Sequence, residues 1–278
     1  MVAMGLALEL KGLPFAKGHG TGNDFVIVPD PDGEIDLSAD VVAALCDRRR
    51  GLGGDGLLRV IRTAAHPEVA PRTDEAEWFM DYRNADGSLA EMCGNGVRVF
   101  ARYLVESGLA AGLSVPILTR AGLVVADVGA EAIAVDMPPP EVSGQASARV
   151  SGVDFAGTMA MCGNPNLVCW VDDPDRLDLV QAPELDEITF PAGANVEFVA
   201  RTADMHVRMR VVERGVGETL SCGSGACAAA AVALRDAGRE AGVVTVDVPG
   251  GRLTVTLDVD RCVLTGPAVI VAYGTVLL

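Results

Sequence analysis

Two stretches of the chain set a cysteine where it could move a proton. Residues 92–100 read MCGNGVRVF and residues 221–229 read SCGSGACAA. In each, Cys-Gly-polar-Gly leads into an apolar, helix-forming run, which predicts a helix with Cys93 or Cys222 at its head. The first turn of a helix carries unbonded N–H groups and a partial positive charge. Both favour thiolate over thiol, and the same N–H groups bind carboxylates. Flanking glycines let a ligand approach the backbone closely. A pair of such sulfurs suits one reaction in particular. One takes a proton from a carbon and the other returns a proton to the opposite face, inverting a stereocentre. With a carboxylate held at the helix heads, that carbon would be the α-carbon of an amino acid. The base is weak for the task. A gap on the order of ten pK units, at about 1.4 kcal/mol per unit, must be offset by helix dipoles, a dry site and close placement.

The elements that must position these residues recur along the chain. FVIV (25–28) and LLRVI (57–61) read as strands, and SADVVAALCDRRR reads as a helix capped by Ser38. The basic DRRR cluster falls at the end of that helix, where positive charge complements the dipole. EWFMDYRNADGS reads as a strand running into a turn at Asp86-Gly87. The helix after Cys93 has apolar residues at 97, 100, 101, 104 and 105 and stops at Gly108. DMPPPEVSGQASA, rich in Pro and Ser, reads as a connection. The second half then echoes the first. GNPNLVCWV (163–171) resembles GNDFVIV (22–28). Asn84 precedes Cys93 by nine residues, as Glu213 precedes Cys222. These correspondences predict a duplicated α/β unit, and the tail VTVDVPGGRLTVTLDVDRCVLTGPAVIVAYGTVLL reads as strands with Gly/Pro turns.

Composition narrows the function. The chain has 278 residues, of which 50% are apolar, enough for two cored domains. A formal net charge of −16 opposes binding to nucleic acid. The opening MVAMGLALEL lacks a basic targeting region, and no apolar run approaches the roughly 20 residues of a membrane helix. These features predict a cytoplasmic chain without a membrane partner. Seven cysteines, an odd number, argue against a disulfide framework. Three scattered histidines and the lack of any C-x-x-C argue against a metal site. The only lysines are Lys11 and Lys17, neither in a convincing Schiff-base setting. The expected chemistry therefore uses no metal and no cofactor. Cys46, Cys169, Cys227 and Cys262 read as small buried apolar residues. Cys162, in Met-Cys-Gly-Asn-Pro, reads as a turn into a strand with no acid–base role. GLGGDG (51–56) satisfies G-x-G-x-x-G, but a helix precedes it and a strand follows, the reverse of a dinucleotide site.

Taken together, KGHGTGNDFVIV, DYRNADGSLAEMCGNGVRVFARYL, GNPN, NVEFV and VVERGVGETLSCGSGACAAA resemble the diaminopimelate epimerase family over essentially the whole chain. The resemblance implies an α/β fold of the α+β type: two pseudo-symmetric domains, each a mixed sheet wrapped around a central helix, with the active site in the cleft between them. The expected domains are 1–125, joined by a C-terminal strand 266–278, and 126–265. It implies a cofactor-independent epimerase of lysine and cell-wall precursor synthesis, with diaminopimelate as small-molecule substrate and a homodimer as a possible assembly. Cys93 and Cys222 fall on the family's acid–base pair. Its substrate contacts fall on Asn23, Asn84, Gly94, Asn95, Asn164, Asn195, Glu213, Arg214, Gly223 and Ser224. The chemistry of these side chains agrees. Arg214 can grip a distal carboxylate in bidentate fashion, Glu213 can pair with an ammonium, and the amides donate and accept at once.

Two positions depart from the family pattern. Asn166 stands where the family carries a histidine thought to tune a thiol, which bears on rate and pH profile rather than on reaction type. Gly56 stands where some members carry glutamine. Two alternatives share part of this pattern. A proline or hydroxyproline racemase has the same fold and two cysteines, but tends to place His after its first Cys-Gly, where this chain has Asn95. A non-catalytic amino-acid-binding protein would have no need of both sulfurs.

Overall fold

The computed structural model describes residues 11–277; the opening MVAMGLALEL, read above for targeting signals, lies outside them. The chain divides into two compact units, Met1–Val135 with Ala268–Leu278, and Asp136–Pro267.

The first unit contains β1 (Pro14–Gly20), β2 (Asn23–Pro29), β3 (Gly56–Arg62), β4 (Trp78–Asn84), β5 (Ser114–Thr119), β6 (Gly122–Val128), the start of β7 (Ile133–Met137), and the late strand β18 (Val269–Thr275). Their spatial order is β18-β1-β2-β3-β4-β5-β6-β7. The β2/β3 and β4/β5 pairs are parallel and the rest antiparallel. A parallel pair needs a crossover. Helix α1 (Ala39–Cys46) lies in the first, and helix α2 (Gly94–Glu106) in the second.

The second unit contains β8 (Glu141–Val150), β9 (Val153–Cys162), β10 (Asn164–Trp170), the short β11 (Glu184–Leu185), β12 (Asn195–Ala203), β13 (His206–Glu213), the short β14 (Gly217–Thr219), β15 (Gly242–Val248), β16 (Gly251–Leu257) and β17 (Cys262–Gly266). The main order is β8-β9-β10-β12-β13-β15-β16-β17, with β10/β12 and β13/β15 parallel and the others antiparallel. The order and directions of pairing are those of the first unit, except that β18, the counterpart of β8, comes from the end of the chain. Helix α3 (Gly223–Asp236) occupies the place of α2.

Both crossover helices are enclosed by their sheets. Every residue of α2 from Gly94 to Ala101 is buried, and α3 is buried continuously from Gly225 to Ala230. A helix buried on all sides has no polar face to spare. In α3, the run Ala226-Cys227-Ala228-Ala229-Ala230 keeps side chains small, so strands can close around it. In α2, the buried Arg98 has its guanidinium satisfied by Thr21 Oγ1, Asn95 Oδ1 and Gly94 O. The two helices end alike. Gly108 and Gly238 both adopt φ +69°, and the next residue's N–H closes on Leu104 O or Leu234 O, a stop that disfavours any side chain.

Two sequence expectations are corrected here. The stretch from Glu141 is not a connection but strand β8, paired with β9 along most of its length and with β11 at its end. Most of its side chains face solvent, so it lacks the apolar alternation that marks a half-buried strand. Nor do the arginines of DRRR complement a helix dipole. α1 ends at Cys46, no basic residue lies in its last turn, and Arg48 instead pairs with Asp24 and Asp55.

Strand β4, which leads to Asn84, is braced by a buried charge cluster. Asp81 is fully buried and accepts from Arg83 at 2.9 Å and Arg120 at 2.6 Å. Burial alone would raise its pKa. The hydrogen bonds and charges of Arg83 and Arg120 outweigh that and hold it below the usual carboxylate range. A depressed carboxylate pKa stabilises the fold above its unfolded value and loses that contribution as pH falls. Asp81→Asn should therefore cost about 3–5 kcal/mol near neutral pH, because it strands buried arginines. In denaturant titrations the gap from wild type should narrow as pH drops below about 4.

Candidate active site

In the first unit the site grows from a tight hairpin. β1 and β2 are joined by Thr21-Gly22, with φ +49° and +83°, the left-handed pair of a type I′ turn. Threonine is disfavoured there. Its buried Oγ1 accepts from Arg98 at 3.2 Å, tying the turn to α2. The turn delivers Asn23 at the start of β2. Cys93 caps α2, and its sulfur accepts from Gly96 N–H at 3.3 Å. Cys93 Sγ also lies 3.7 Å from Asn23 Oδ1, which accepts from Asn95 Nδ2 at 3.3 Å. Cys93 is half-buried, whereas Gly94 and Asn95 are buried. Asn84, the last residue of β4, donates its amide to Ser88 Oγ at 2.9 Å within its own turn.

In the second unit, Asn195 opens β12 and Glu213 closes β13. Cys222 caps α3, is only 6% exposed, and sits 3.4 Å from Ser224 Oγ. The buried amides fall into one order. Asn166 Nδ2 donates to Asn164 O at 2.7 Å, Asn195 Nδ2 donates to Asn166 Oδ1 at 3.1 Å, and Asn195 Oδ1 accepts from Arg214 N–H at 3.0 Å. Asn195 Nδ2 also lies 4.0 Å from Cys222 Sγ. The Asn164 side chain and Arg214 are exposed, and Glu213 accepts from Thr219 Oγ1. Gly223 is buried in the first turn of α3.

Within their own units, then, Asn23, Gly94 and Asn95 gather at Cys93, and Asn195, Gly223 and Ser224 at Cys222. Asn84, Asn164, Glu213 and Arg214 stand at strand ends. Asn84 and Glu213 occupy equivalent places, each closing the strand that precedes the crossover helix.

The electrostatics of Cys222 depart from the helix-head expectation. Burial, then the Glu213 and Glu197 carboxyls, push its thiol well above the ordinary range, outweighing the helix's N–H groups. These effects favour the thiol over the thiolate at Cys222. The remaining cysteines behave as packing residues: burial pushes Cys46 up to about 11 and Cys169 up to about 12. Cys162 ends β9 and donates to Pro138 O at 3.2 Å. Among the described residues no group of three His, Cys, Asp or Glu side chains is placed to hold a metal ion. Likewise, no helix is long and apolar enough to cross a membrane.

Glu197 escapes sequence reasoning. Two residues after Asn195 on the same strand face, it is fully buried, and neither carboxyl oxygen finds a hydrogen-bond partner. It lies against the first turn of α3: a Cβ on Gly225 would sit 2.5 Å from Glu197 Oε1, so only glycine fits. The only sequence signal is a glutamate within the apolar run from Val196 to Ala200 of β12.

Solved structures define the fold. The chain shares its fold with a PhzF-family phenazine biosynthesis protein from Bacillus anthracis (TM-score 0.71, 19% identity, covering 96% of this chain and 100% of that one). It also matches a hydroxyproline epimerase from Agrobacterium vitis (TM-score 0.65, 17% identity, 96% and 92% covered). The particular family follows from sequence. The diaminopimelate epimerase family model matches residues 15–142 and 158–271. The diaminopimelate epimerase of Thermobifida fusca is 55% identical over 273 residues, spanning 95% of this chain and 98% of that protein. That of Corynebacterium glutamicum is 49% identical over 274 residues, spanning 95% and 98%. The chain belongs to the diaminopimelate epimerase family.

Burial, then the charge of Glu213, raises the folded-state pKa of Glu197 well above its ordinary value. Such a group costs no stability below about pH 4.3, where it is protonated folded or unfolded, and an increasing amount as pH rises above that. Glu197→Gln should therefore gain on wild type as pH rises. Thermal melts between pH 5 and 9 should show the difference in Tm moving in the variant's favour, and a pH-independent difference would contradict this.

Proposed function

We propose that the protein is a diaminopimelate epimerase that interconverts the LL and meso forms by two-base proton transfer, Cys93 and Cys222 being the two bases. The observation that carries this reading is the repetition of one device. Two units with the same order of strand pairing each enclose a helix capped by a cysteine, and each cysteine has an asparagine amide beside it.

In the forward step one sulfur, as thiolate, takes the α-proton. The electron pair left on carbon delocalises into the α-carboxylate. The other sulfur, as thiol, gives its proton to the opposite face. Atoms and charge balance: one thiolate and one thiol exchange roles, and the α-carbon is inverted. Since the two sulfurs supply both proton transfers, the reading calls on no cofactor or metal. The raised proton affinity of Cys222 suits the donor role in one direction and makes its thiolate a stronger base in the other.

The first-turn N–H groups at Gly94-Asn95 and Gly223-Ser224 are assigned to the reacting carboxylate, whose charge grows as the carbanion forms. The remote amino-acid end is assigned to Arg214 for its carboxylate and Glu213 for its ammonium, with Asn23, Asn84, Asn164 and Asn195 supplying amide contacts. A substrate charged at both ends and a surface of net charge −16 fit a cytoplasmic biosynthetic enzyme that does not bind nucleic acid.

Cys93→Ala and Cys222→Ala should each lower kcat for LL-to-meso conversion by at least about 10³-fold, with melting temperatures near wild type. A chiral chromatographic assay checks this, and turnover within tenfold of wild type in either variant would refute the pairing. Arg214→Ala should reduce kcat/KM by roughly 10²-fold, the loss of a charge-assisted contact worth about 1.5–3 kcal/mol.

A further inference from the structure

The GLGGDG loop is no dinucleotide site, and DRRR no dipole cap, yet the fold brings the two together. Gly51 packs onto the end of α1, where a Cβ would lie 2.1 Å from Ala44 O. The loop then runs to Asp55, immediately before β3. Asp55 Oδ1 accepts from Arg48 Nη2 at 2.7 Å. Asp55 Oδ2 accepts from Asn23 Nδ2 at 2.8 Å and from Asp24 N–H at 3.2 Å. Arg48 also grips both Asp24 oxygens, at 2.7 and 3.1 Å. Lys17 binds Asp24 and Gly53 O.

These bonds fix the orientation of an amide. A carboxylate only accepts, so the group facing Asp55 must be the Asn23 nitrogen. The Asn23 oxygen is then the atom 3.7 Å from Cys93 Sγ. The far side agrees independently. Arg98 only donates, and it holds Asn95 Oδ1 at 2.9 Å, so Asn95 turns its nitrogen toward Asn23 Oδ1. Polarity is thus set from both ends, by Asp55 and by Arg98. An acceptor beside a thiol favours S–H over S⁻.

We propose that Asp55, clamped by Arg48, is a positioning residue for Cys93: by holding the Asn23 nitrogen it turns the Asn23 oxygen toward the sulfur and keeps the proton on the thiol. This rests on Cys93 being one of the two acid–base groups. The charged groups gathered at this end are Lys17 from β1, Asp24 from β2, Arg48 after α1, Asp55 before β3 and Arg98 from α2. Without the Asp55 acceptor, only the longer Asn95 contact at 3.3 Å opposes reversal of the Asn23 amide, and the reversed amide donates to sulfur, which favours thiolate.

The test is the pH dependence of iodoacetamide labelling at Cys93, followed by peptide mass spectrometry on the full-length enzyme. In Asp55→Leu the midpoint of labelling should move to lower pH. Below the midpoint Cys93 should label about tenfold faster, equivalent to one unit in the thiol equilibrium. The plateau at high pH should be unchanged, whereas loosened packing would raise the plateau. In an Asn23→Leu background, Asp55→Leu should produce no further shift, because the effect runs through that amide. Should Asp55→Leu fail to fold, Arg48→Met should move the midpoint the same way by a smaller factor. An unmoved midpoint, or a shift that persists without Asn23, would overturn the proposal. The acid–base reading itself would fail separately, through an active Cys93→Ala enzyme.

Discussion

A helix enclosed by its own sheet must begin somewhere, and its first turn brings unbonded N–H groups into a water-poor interior. That constraint governs both units. At α2 and α3 a cysteine occupies the cap, and glycine follows at the first helical position, so the exposed backbone and the sulfur share one small space. The surrounding polar residues complete the hydrogen bonding of that space. Arg98 and Asn95 do so in the first unit, and Asn166 and Asn195 in the second. A head built this way is ready to receive a carboxylate, because its N–H groups are fixed before any ligand arrives.

The same order of strand pairing does not produce identical chemistry. At Cys93 the sulfur receives a backbone N–H bond and faces an amide oxygen, with charged partners of both signs nearby. At Cys222 no side-chain cap bond forms, and the charges that raise its proton affinity are the carboxyls of Glu213 and Glu197. An inverting pair needs one protonated and one ionised partner during the reaction, and the two sites hold their protons by different means: burial and carboxyl charge at Cys222, an amide oxygen at Cys93. Asn166 contributes through hydrogen-bond direction alone, since its amide carries no charge.

Much of this was legible in the sequence where a local rule has a local cause. The Cys-Gly-x-Gly heads, the Ser38 cap and the Gly108 stop depend on backbone geometry within a few residues, and each lies where its pattern places it. The repeat was legible because Asn84 and Glu213 keep the same spacing from the two cysteines. What escaped depends on distant partners. β8 is a strand because β9 and β11 pair with it, not because its side chains alternate. Arg48 belongs to Asp24 and Asp55 rather than to its helix. Glu197 is unremarkable in sequence until the enclosing sheet buries it against Gly225.

The central claim is proton exchange at an α-carbon by two thiols, and the most direct test follows that proton. The purified protein, in heavy water with LL-diaminopimelate and no added cofactor, is monitored by proton NMR. The account predicts loss of one α-proton signal together with appearance of the meso isomer deuterated at the inverted carbon. An α-proton signal that persists unchanged beside active-site thiols shown to be reduced would contradict it.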